Sequence, residues 1–81
     1  MSRAKVNSYY HADAVFDGND GEMKCKQIYA DNFLQLIERI EDLEKQIGGI
    51  EIWSALFVYG DEHSQVKMKV IETLKARNPN G

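Results

Sequence analysis

Apolar residues recur along this chain at two spacings, and the spacings divide it into elements. Between residues 33 and 47, Phe33, Leu36, Ile37, Ile40, Leu43 and Ile47 fall three or four apart, the period of one helix face. Asp31 stands ahead of this run as a capping residue. Gly48 and Gly49 end it with the left-handed backbone that helix ends favour.

The segments on either side read as strands. KVNSYYHADAVF, residues 5–16, is rich in tyrosine, valine and small residues, and EMKCKQIY, 22–29, follows it. DGNDG, 17–21, joins them as turn chemistry, because glycine tolerates positive φ and Asn and Asp bond their own backbone. GGIEIWSALFVYG, 48–60, is the densest apolar run and reads as a third strand. Asp61 or Ser64 then opens a last helix with Val66, Val70, Ile71 and Leu74 inward and Pro79 beyond its end. The expected fold is α+β, ordered ββαβα: one domain, 1–81, with two helices packed on one face of a three-stranded antiparallel sheet.

Strict alternation divides the third strand. Ile50, Ile52, Leu56 and Val58 lie on one side, and the aliphatic helix stripes are their natural cover. Trp53, Phe57 and Tyr59 lie on the other, where the first strand adds Tyr9, His11 and Val15 and the second adds Lys24, Lys26 and Ile28. The cover of that second face is the functional question. An arm of the same chain, a second copy, a protein partner and a nucleic acid are the candidates.

Composition narrows the choice. The chain has 81 residues, 43 % of them hydrophobic and 28 % charged, the balance of a folded domain. A domain this small buries a modest share of its surface and often gains stability from a disulfide, a metal or oligomerisation. Cys25 is the only cysteine, so an internal disulfide is excluded and association is the expected help. No apolar run is long enough to span a membrane, and the basic N-terminus has no apolar core behind it, so the expectation is a cytoplasmic chain.

The net charge is −3, and residues 13–51 hold ten acids against four bases. Arg3, Lys5, Lys67, Lys69, Lys75 and Arg77 make the two ends positive. An acidic balance disfavours general nucleic-acid binding, which rests on neutralising phosphates. Glu38, Glu41, Asp42 and Glu44 form an acidic stretch on the first helix, suited to a solvated face or to a basic groove on a partner.

Candidate chemistry is sparse. DGNDGE has Glu22 where a calcium loop needs glycine, and Ile28 where it needs glutamate, so no metal is expected there. His11 and Asp13 alternate on one strand face and could form an acid–base pair, but no nucleophile is marked beside them. Cys25 reads as a small packing residue. No glycine-rich phosphate loop occurs, and no cofactor is expected.

The reading is therefore a non-catalytic protein–protein interaction module, not an enzyme, with a homodimer as the expected assembly. Tyr9, Trp53, Phe57 and Tyr59 form the expected interaction face, with the acidic helix as a second surface. Size and acidity also suit a small phage or mobile-element inhibitor of a bacterial nuclease or defence complex. The first alternative is a single-stranded nucleic-acid binder that stacks bases on the aromatic face. The second is a small enzyme using the His11–Asp13 pair.

Overall fold

In the computed structural model, which describes residues 8–77, the chain forms two hairpins, each followed by a helix. β1 (Ser8–Asp17) and β2 (Met23–Ala30) precede α1 (Phe33–Ile47). β3 (Glu51–Tyr59) and β4 (Glu62–Gln65) precede α2 (Lys67–Arg77). The strands join in one sheet of order β2-β1-β3-β4, antiparallel throughout, with β1 and β3 in the middle. The α+β class, the antiparallel sheet and the two helices agree with the sequence reading. The strand number does not: the sheet has four strands, and the order is ββαββα. Arg3, Lys5 and Pro79 lie outside the described residues.

The fourth strand replaces the start expected for the last helix. Gly60 has φ 60 and occupies the first central position of a two-residue turn, a place that type II′ hairpins give to glycine. The chain turns back there, and Glu62–Gln65 pairs with Leu56–Tyr59. All four β4 residues are exposed, so no apolar alternation marks the strand. The ladder is closed by Ala55, whose N–H is accepted by Gln65 Oε1 at 3.2 Å and whose carbonyl accepts from Val66 N at 2.7 Å.

Local signals account for the other junctions. In the first hairpin Gly21 has φ 83, Gly18 N donates to Glu22 O at 2.7 Å, and Asp20 Oδ1 accepts from Glu22 N at 3.1 Å. Helix α1 is capped by Asn32, one residue later than the sequence suggests: its Oδ1 accepts from Gln35 N at 2.8 Å. Gln35 in turn accepts from Asp31 N at 2.7 Å, a reciprocal arrangement resembling a capping box. Gly48, with φ 106, ends the helix by donating to Glu44 O at 2.7 Å.

The core lies between the sheet and both helices. Leu36, Ile37 and Ile40 of α1 and Val70 of α2 are essentially inaccessible and form one cluster with Ala12, Ala14, Ile28, Ala30, Ile52 and Ala55. Small alanines on the central strands let the helices approach closely, while Tyr10, Phe33, Ile50, Val66 and Leu74 close the margins. Both helices cover the same side of the sheet, and among the described residues the other side carries no helix.

Candidate interaction faces

Strand register decides which side chains lie on the helix-free side. Asp13 pairs with Ser54, yet the next residue, Ala14, pairs with Ile52. Trp53 is the extra residue of a β-bulge, and the alternation of β3 changes phase there. Before the bulge, Ile50 and Ile52 face the helices, as expected. After it, Ala55, Phe57 and Tyr59 face them, and Leu56 and Val58 point away.

This separates the four residues expected on one face. Tyr9 pairs with Val58 on the helix-free side, and Trp53, 55 % exposed, follows helix-facing Ile52 at the bulge and shares the side of Ser54. Phe57 instead pairs with Tyr10 across β1–β3, with ring centroids 4.8 Å apart. Tyr10 meets Phe33 edge-on at 5.7 Å, and Lys69 Nζ stands 4.7 Å over the Phe33 ring. Tyr59 extends this helix-side group, 6.3 Å from Phe57. Phe57 thus joins an aromatic group on the helix side, and Tyr59 shares that side but is 51 % exposed.

Residues that the simple alternation missed take their place on the free face. Directly paired residues share a side, so β1 contributes Tyr9, His11, Asp13 and Val15, and β2 contributes Cys25, Gln27 and Tyr29. Leu56 and Val58 come from β3, and His63 and Gln65 from β4. Lys24 and Lys26 pair with Phe16 and Ala14, and Ile28 pairs with Ala12, so all three lie on the helix side. The lysines do not flank the free aromatics. Cys25, expected as packing, is exposed.

The centre of the free face is ordered by side-chain contacts. His11 stacks on Tyr29 with ring centroids 4.6 Å apart and 7° between planes, and Tyr9 lies 6.0 Å from Tyr29. Ser54 Oγ donates to Asp13 Oδ2 at 3.1 Å, while His11 Nε2 approaches Asp13 Oδ1 at 3.3 Å. Those last two atoms are both shielded from solvent, and their angles fall short of a hydrogen bond, so the contact is an electrostatic approach. The carboxylate sits between hydroxyl and imidazole, so the expected His11–Asp13 pair is formed. A serine nucleophile needs a base that takes its proton, and here Ser54 bonds to the carboxylate and not to the imidazole.

The acidic stretch of α1 divides around the helix. Glu41 and Glu44 line a groove of about 630 Å³ between α1 and α2, floored by Ile40, Ile50, Ile52 and Leu74. Arg77, the last residue of α2, grips Glu41 bidentately, Nε to Oε2 at 2.9 Å and Nη2 to Oε1 at 3.0 Å. That hydrogen bonding holds the Glu41 carboxyl below its usual range and raises the Arg77 guanidinium. Asp42 turns the other way, into a groove of about 320 Å³ between α1 and β2. Glu41 and Glu44 thus line one groove and Asp42 another.

Among the described residues no cluster of three or more His, Cys, Asp or Glu side chains is arranged to hold a metal ion, and no helix is long and apolar enough to cross a membrane. The fold is a ββαββα sheet-and-helix layer with one sheet face that no described helix covers, although Val15 and Val58 are buried on it. The chain matches no protein-family model, no curated protein and no solved structure.

Proposed function

We propose that this protein is a non-catalytic interaction module whose helix-free sheet face docks onto protein, and that a second copy of the chain is its resident partner. One observation carries the reading: the described helices cover one side of the sheet, and the other side carries Tyr9, Tyr29, Trp53 and Leu56 among its polar residues His11, Asp13, Gln27, His63 and Gln65. An antiparallel sheet can face water on one side, but that side is then mainly polar. Large side chains gathered on an uncovered face are the usual mark of an association surface, and tyrosine and tryptophan dominate binding energy there.

A second copy suits this face for two reasons. The face carries Asp13 beside His11, and Asp17 and Glu51 at one end of the sheet, so two copies stacked with their strands antiparallel keep those end acids apart. Stacking would also add the core that a short chain lacks. Four strands about 4.8 Å apart and roughly eight residues long expose about 500 Å² per copy, or about 1,000 Å² per dimer. That area is at the lower limit for a specific interface, so the proposed dimer is one expected to dissociate on dilution.

Analytical ultracentrifugation over a range of concentrations tests the reading. Wild type should pass from monomer to dimer, and Leu56→Asp, which places a charge on the face, should remain monomeric with unchanged circular dichroism. A folded Leu56→Asp protein that dimerises like wild type would refute the role of the face.

A further inference from the structure

The sheet has a second unsatisfied feature, distinct from its free face: the outer edge of β2. The turn bond from Gly18 N to Glu22 O sets the parity of this strand. Even-numbered residues aim their backbone groups at β1, and odd-numbered residues aim theirs outward. Tyr29 confirms the parity, because its carbonyl points away from β1 and accepts from the Arg39 guanidinium. Among the described residues nothing pairs with the outward backbone donors and acceptors of Met23, Cys25 and Gln27 at this sheet edge. The opposite edge, β4, is only four residues long.

Alongside this edge runs the groove between β2 and α1. Ile28 and Leu43 are buried at its base, and Lys26, Arg39, Asp42 and Gln46 form its rim. Lys24 continues the line of positive charge on the same side of the strand. Lys24 lies toward the turn beside Asp17 and Asp20, so at the groove itself the cations are Lys26 and Arg39 against Asp42.

We propose that the β2 edge receives an extended, acidic segment of another protein, which pairs as a fifth strand and seats one aliphatic side chain in the α1–β2 groove. Main-chain bonds to Cys25 and Gln27 supply the pairing, and alternate side chains of the added strand fall over the groove. Charge complementarity selects the partner. A second copy is disfavoured, since twofold pairing centred on Cys25 sets Lys24 of one chain against Lys26 of the other, and like charges directly opposite destabilise a ladder. Edge lysines thus guard against self-pairing while favouring an acidic strand. The site lies outside the face proposed for dimerisation and is open in both monomer and back-to-back dimer, so the two proposals stand or fall separately.

The test is NMR titration of the full chain with a capped seven-residue peptide alternating valine and glutamate. Its amide signals should shift along β2 and the Arg39–Gln46 side of α1, and the Cys25 and Gln27 amides should gain protection from hydrogen exchange. Lys26→Glu should weaken binding about tenfold and favour the same peptide with lysine in place of glutamate. N-methylation of the peptide amides facing β2 should abolish binding. Absent shifts, shifts confined to Tyr9, Tyr29 and Leu56, or an affinity unchanged by Lys26→Glu and by N-methylation would overturn the proposal.

Discussion

His11 lies flat against Tyr29, 4.6 Å between ring centroids and 7° between planes, on the side of the sheet that the helices leave open. The two residues are direct partners across the β1–β2 ladder, so the stack joins a central strand to an edge strand. Cross-strand aromatic pairs contribute about 0.5–1.5 kcal/mol beyond their buried area. Tyr29→Ala, which also removes the buried half of the side chain, should therefore lower stability by at least that amount in urea unfolding at dilute, monomeric concentration. An unchanged midpoint would show that the stack adds nothing to the fold.

Phe57 and Trp53 should respond oppositely to substitution. Phe57→Asp places a carboxylate against Tyr10 and the helix side of the sheet, and should cost several kcal/mol, about 2–5, enough to unfold much of a small domain. Trp53→Ala, at a position 55 % exposed, should change stability by less than about 1 kcal/mol. Circular dichroism melts of both variants check this. Equal losses would contradict the register around the bulge.

That contrast shows where the sequence was legible. Helix α1 could be read because its apolar spacing, its N-terminal polar residues and Gly48 all agree, leaving only the cap displaced from Asp31 to Asn32. The first hairpin could be read because Gly21 and Asp20 perform local turn chemistry. Strand β4 could not, since Glu62, His63, Ser64 and Gln65 bury nothing and leave no pattern; the Gly60–Asp61 turn was its one signal. The faces of β3 were half legible. A bulge is set by pairing between distant strands, so its phase change after Trp53 has no local mark, and Leu56 exchanges places with Phe57.

Acid should loosen the junction between the helices. Arg77 holds the Glu41 carboxyl below its ordinary range, so the folded protein binds this proton less readily than the unfolded chain does. The associated stability is fully present above the ordinary glutamate value of 4.5 and declines as pH falls through the lower folded value. Wild type should lose stability more steeply than Glu41→Gln over that acid range, and the two should run parallel near neutrality. Parallel curves throughout would exclude the ion pair as a contributor.

Cys25 offers a chemical report on the free face. It is exposed and pairs with Val15 on that side, so its alkylation should be fast in dilute protein. If two copies stack face to face, the rate should fall several-fold as concentration rises, and Leu56→Asp should remove the concentration dependence. A rate independent of concentration in wild type would place Cys25 outside any such interface.

The most direct test is the mass of the protein in solution, because the docking role proposed for the helix-free sheet face has its clearest consequence there. The chain has a mass of 9.3 kDa. Light scattering coupled to size exclusion, from low micromolar to millimolar loading, should show wild type rising from one chain mass to two. Folded Leu56→Asp should stay at one. Wild type that remains at 9.3 kDa through millimolar concentration would contradict the account.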